Sequence, residues 1–230
     1  MTTVDRAVLD NPAWTALTHG QKTFAEARGR AARYLPDVSP FAAVADAADP
    51  AAWADLAELA GPGGEVWMPA AADGTMPGWE RTGGGVGVQL TGEDLTAAPD
   101  PEAVRLTAAD VPEMLDLVAR TKPGPFGPRT RELGTYLGIR REGALVAMAG
   151  ERMRPPGWAE ISAVCTDPAF RGQGLAARLV RAVAAAVRER GETPFLHAAG
   201  TNTGAIRLYL AMGFQHRRDI NFHAYRRVAS

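Results

Sequence analysis

The stretch VCTDPAFRGQGLAARLV, residues 164–180, sets strand-forming residues before a short Asp-Pro turn. An arginine, two glycines one residue apart and an immediate helical pattern follow. Backbone N–H groups at a helix start have no partner one turn back, and with the helix dipole they form an anion site. Gly172 and Gly174 allow a tight turn and a close approach by a phosphate. On this segment alone a second reading stands, in which the glycines make a strand-to-helix turn and nothing more. GQGLAA also matches the dinucleotide pattern G-x-G-x-x-A. That pattern requires glycines directly after a strand and an acid ending the next one. Here DPAFR intervenes, and the next strand, TPFLHAA, ends without an acid.

The flanking sequence continues the pattern. Residues 174–190 carry Leu175, Leu179, Val183 and Val187 on one helical stripe, with Gly191 as the stop. WAEISAVCT before the turn reads as a buried strand, and TYLGIRREGALVAMAGERMR as two strands around REG. AVRLT is a strand, AADVPEMLDLVART a helix, NTGAIRLYLAM a helix and FQHRRDINFHAYRR one or two final strands. The order β-α-β-β-β-α-β-α-β predicts an α/β fold with a mixed central sheet flanked by helices. Residues 91–103 mix Gly, Pro and acids, which divides the chain into 1–98 and 99–230. In the first part NPAWTALTHGQKTFAEARGRAARY predicts a helix. DPAAWADLAELAG predicts another, with Asp49 as cap and Gly61 as stop. GEVWMPA and VGVQLTG read as short strands around a glycine-rich loop, DGTMPGWERTGGG.

Composition bounds the rest. A 46% hydrophobic content over 230 residues supplies a packed core, and 25 basic against 26 acidic side chains leave a net charge of −1. Nothing in that balance calls for nucleic acid or an anionic membrane. One cysteine, Cys165, excludes an internal disulfide. The four histidines lack zinc-ligand spacing, so no metal is expected. His197, on a strand, reads as a core histidine. No apolar leader and no membrane-length run is visible, which predicts a cytoplasmic protein. The Ala, Gly, Arg and Pro content suggests a bacterial source.

Read from Arg171, the turn is Arg-x-x-Gly-x-Ala, and TNTGAIRLYLAMGF follows about 30 residues later. The pair resembles the GNAT superfamily of acetyl-CoA-dependent N-acetyltransferases, whose signature Q/R-x-x-G-x-G/A precedes N-x-x-A-x-x-L-Y-x-x-x-G-F. Asn202, Ala205, Leu208, Tyr209, Gly213 and Phe214 carry the second motif. The likeness covers residues 103–228. The N-terminal α+β region lacks it, and its helix-then-strands order leaves a degenerate half-copy open.

The resemblance implies transfer of an acetyl group from acetyl-CoA, the co-substrate, directly to a primary amine of a small molecule or protein. It places the pyrophosphate on Arg171, Gly172, Gln173, Gly174, Leu175 and Ala176. The pantetheine arm falls along Val164, Cys165 and Thr166, with Asn202 near it. Tyr209 matches the tyrosine that protonates the departing sulfur. Glu160 matches a glutamate that some members use as base, and an ion pair with an arginine is its other reading. Glu151 is the second candidate base and a substrate contact. Phe126, Arg129 and Thr130 fall in the loop that would shape an acceptor pocket. A CoA-binding module without catalysis is the competing function, and a homodimer is left open.

Overall fold

The computed structural model describes residues 5–69 and 76–228. The first helix, α1 (Pro12–Thr18), is capped by Asn11, whose side chain accepts from the Trp14 amide. The long helix expected over residues 11–34 ends there. The rest becomes a hairpin, β1 (Ala25–Arg28) and β2 (Ala31–Tyr34), turning at Gly29. Its residues have helical propensity, but pairing with β3 (Ala42–Val44) buries Ala31, Ala32 and Tyr34, and tertiary burial outweighs propensity. α2 (Pro50–Ala60) has the expected cap, with Asp49 accepting from the Ala51 amide and Gly61 ending it.

β4 (Glu65–Pro69) and β5 (Trp79–Thr91) follow. The glycine-rich loop expected between two short strands is therefore shorter: residues 79–85 belong to β5, while 73–75 lie outside the described residues. Gly84 shows why glycine was used here. Its φ is +113°, and a Cβ would run into the Phe222 carbonyl oxygen of the neighbouring strand. Gly84→Ala should lower stability by at least ~2 kcal/mol, measurable by chemical unfolding.

The second part runs β6 (Val104–Arg105), α3 (Val111–Thr121), β7 (Tyr136–Arg141), β8 (Ala144–Glu151), β9 (Trp158–Thr166), α4 (Leu175–Glu189), β10 (Thr193–Ala199), α5 (Thr203–Ala211) and β11 (Gln215–Arg227). These nine elements follow the expected order. The large sheet has eight strands in the order β4-β11-β5-β10-β9-β8-β7-β6, with β9 and β10 parallel. A separate three-stranded sheet is β1-β2-β3.

Strand alternation gives the large sheet two apolar faces. On one, Leu175, Leu179, Val183 and Val187 of α4 pack with Ala147, Ala149 and Ile161. On the other, Met114 and Leu117 of α3 pack with Tyr136, Met148, Ala163 and Cys165. The N-terminal segment joins this second face, where Leu9, Leu17, Tyr34 and Phe41 cluster with Met153, Trp158 and Phe195. The division drawn at residue 98 thus falls within one sheet, since β4 and β5 lie beside β11 and β10. Among the described residues no helix is long and apolar enough to cross a membrane.

Candidate active site

β9 and β10 pair over Trp158–Ile161 and Thr193–Leu196, then part. Beyond Ile161, β9 stays paired with β8 on its other edge, and β10 stays paired with β5 on its other edge as far as Ala199. One edge of Ser162–Thr166 is therefore left without a strand partner. Within it the register with β8 slips, so that Ala149 faces both Ala163 and Val164. Ala163 takes φ +52°, a left-handed conformation that costs a β-carbon residue about 1–3 kcal/mol and redirects the strand.

The glycine turn follows. Asp167 caps a short 3₁₀ turn by accepting from the Ala169 amide, and its carboxylate pairs with Arg120 at the end of α3. Arg171 donates through Nε to the Thr166 carbonyl, 3.3 Å. Gly172 and Gly174 have φ of +79° and +71°, with open space where a Cβ would stand. The first amides of α4 begin directly at that turn and have no intrahelical carbonyl partners. Asn202 accepts from the Ala205 amide and starts α5, which carries Tyr209 one turn from its end.

These pieces line one cavity of about 660 Å³. Of the expected coenzyme residues, Val164, Cys165, Thr166, Arg171, Gly172, Gly174, Leu175, Ala176 and Asn202 line it, as does Tyr209. Gln173 sits in the turn but outside the lining, exposed. The Thr166 hydroxyl is buried without a hydrogen-bond partner. Burial, with a smaller push from Cys165, raises the Tyr209 hydroxyl to about 12, so it holds its proton at neutral pH. Burial likewise raises the Cys165 thiol, which is therefore no thiolate nucleophile.

Glu160, anticipated as a base, is placed in a buried ion pair instead of on the cavity wall. It is fully buried and absent from the cavity wall. Its oxygens accept from Arg152 Nε at 2.9 Å and Nη2 at 2.5 Å, from the Met153 amide at 3.3 Å and from His197 Nδ1 at 2.8 Å. Burial alone would raise its pKa, but the charge and hydrogen bonds of Arg152 and the bond from His197 win and bring it to about 2. Such a carboxylate has almost no tendency to take a proton at neutral pH, and it acts as a clamp on Arg152 and His197. The ion-pair reading holds, with a buried arginine.

His197 lines the cavity and is fully bonded at both nitrogens. Nε2 faces Gln89 Nε2 at 3.0 Å. The Gln89 amide is oriented by donating to the Leu9 carbonyl at 2.9 Å and accepting from Arg217 at 2.8 Å. This network assigns His197 the Nδ1–H tautomer.

The four expected substrate residues are engaged elsewhere, and none lines the cavity. Glu151 is buried and accepts from the Thr135 amide and Arg190. Arg129 pairs with Glu132 and Asp37. Thr130 donates to the Val38 carbonyl, and Phe126 packs edge-on against Tyr136. These bonds hold the loop to the N-terminal segment and the sheet. The loop residues that do reach the cavity come just earlier, Thr121 to Gly124. Arg152, at the cavity's inner end, was missed because nothing local marks an arginine after a strand as buried. Among the described residues no group of His, Cys, Asp and Glu is arranged to hold a metal.

The family model for FR47-like proteins matches residues 136–225. N-alpha-acetyltransferase RimI of Mycobacterium tuberculosis is 33% identical over 133 residues, covering 53% of this chain and 83% of the relative. The crystal structure of a Novosphingobium aromaticivorans protein described as a GNAT-family acetyltransferase is 40% identical. It superposes with a TM-score of 0.88, covering 96% of this chain and 99% of that one. A GCN5-related N-acetyltransferase from Kribbella flavida shares the fold at 18% identity, with a TM-score of 0.60 and coverage of 94% and 96%. Together with the turn, the parted strands and the helix-borne tyrosine in one cavity, these likenesses place the chain in the GNAT family of N-acetyltransferases.

Proposed function

We propose that this enzyme transfers the acetyl group of acetyl-CoA directly to a primary amine. The carrying observation is that the open amide turn, the unpartnered edge of β9 and Tyr209 line one cavity. The residues suit the coenzyme. Glycines leave the turn open for a pyrophosphate, helix-start amides supply donors, and the parted edge offers backbone groups to an amide-containing arm. Bound acetyl-CoA would supply the activated acyl group.

In this reading the Gly172–Ala176 amides hold the diphosphate, and Val164–Thr166 align the arm and the carbonyl. Tyr209 donates its proton to the sulfur as the C–S bond breaks, while the amine nitrogen forms the new C–N bond. Glu160 and Glu151 are tied to arginines, so neither takes the amine's proton. That proton leaves to water in the open cavity, and the rate should rise with pH along the acceptor amine's own titration.

Calorimetric titration tests the coenzyme, with acetyl-CoA expected to bind and NADH not. Thiol release with an amine panel tests transfer. Binding without transfer would favour the non-catalytic module, for which the engaged glutamates are the supporting observation. Gly174→Glu should weaken acetyl-CoA binding at least ~tenfold, because it sets a β-carbon at a left-handed position and a carboxylate at the phosphate site.

A further inference from the structure

The inner end of the cavity contains polar groups that the transfer step leaves unused. Arg152 lines it, although the residue is 7% exposed. One edge of its guanidinium, Nε and Nη2, is held by Glu160, and one face lies 4.6 Å from the centre of the Phe41 ring. Nη1 donates to nothing in the protein among the described residues. It is also not one of the sealed, unpartnered atoms, so its open side is the cavity.

Leaving that buried N–H group without a partner costs stability unless a ligand completes it. The charge of the wall agrees. Among the described residues the charged side chains lining the cavity are Lys122, Arg152 and Arg171, and neither Asp nor Glu lines it. A polyamine or aminoglycoside would meet only like charge there.

We propose that Arg152 recognises a carboxylate on the acceptor, which makes the acceptor an amino acid. This rests on the reading of the chain as an acetyl-CoA-dependent transferase. The carboxylate takes the spare N–H groups of Arg152 at Nη1, and the amine then faces the parted edge of β9. Glu160 neutralises the guanidinium beforehand and fixes its plane, so the bound zwitterion adds no net charge to the interior.

The test is steady-state transfer at saturating acetyl-CoA, using the common L-amino acids, their carboxamides and spermidine, compared at equal neutral-amine concentration. At least one acid should show a KM about tenfold or more below that of its amide. Arg152→Lys, which keeps a positive charge beside Glu160 and is checked for unchanged thermal unfolding, should raise that acid's KM several-fold and leave the amide and acetyl-CoA values unchanged. Equal KM for acid and amide, preference for spermidine, no acetylated amino acid, or a folded Arg152→Lys variant without effect would each overturn the proposal. Failure of acetyl-CoA to bind at all would instead sink the transferase reading, and the calorimetric titration separates the two cases.

Discussion

Tyr209→Phe is expected to lower the acetyl-transfer rate by about 10²–10⁴-fold, the range that a positioned general acid supplies. Acetyl-CoA affinity should change by less than about threefold, because the ring stays and only the oxygen is lost. The ring packs edge-on against Phe214 at 5.9 Å, a contact that phenylalanine keeps. The hydroxyl holds its proton through neutral pH, so the wild-type rate should show no loss from tyrosine ionisation below about pH 11. Stopped-flow thiol release and calorimetry on the same preparation separate chemistry from binding. Equal loss of both would assign Tyr209 to packing.

Glu160→Gln should cost about 3–5 kcal/mol of stability, because it leaves the Arg152 guanidinium buried and unpaired. For a chain of this size the melting temperature should fall by about 10 °C or more. Linkage gives a similar figure. The folded carboxyl sits near 2 against an ordinary 4.5, so ionised Glu160 favours the folded state by about 3 kcal/mol near neutral pH. The sign is that of a depressed acid: the contribution is complete above about 4.5 and is lost as pH falls toward about 2. Urea unfolding from pH 7 to pH 2.5 should show the wild type losing its advantage over the variant in that window. A constant difference across it would remove Glu160 from the acid limb.

How much was legible varied with how local the physics is. The turn at Gly172 and Gly174 and the helix caps at Asp49 and Asn202 depend on neighbours within a few residues, and the sequence states them directly. The parting of β9 from β10 has no local signal in the sequence, because a missing hydrogen bond has no residue type of its own. Two segments misled. Residues 19–34 have helical composition but fold as strands against partners that the sequence does not name. Gly83–Gly85 read as flexible, yet they belong to β5, and at Gly84 β11 lies too close for a side chain. The site showed the same limit. A carboxylate on a buried strand needs either a function or a partner, and both readings of Glu160 were open in the sequence; Arg152 as the partner follows only from a chain reversal at residues 152–158.

The place of β5 has a consequence for how the chain is made. It is bracketed on both sides by late strands, with Leu90 opposite Leu196 on β10 and His216 on β11. Pairings of such long sequence separation form slowly. At ribosomal speeds of about 5–20 residues per second, β5 waits about 5–25 s after synthesis for its partners to emerge. During that interval both of its edges are bare, and it is a site where a chaperone would hold the nascent chain or where two chains would stick together. Aggregation during expression should therefore respond to substitutions in residues 79–91 more than to changes in the active site that forms around β9.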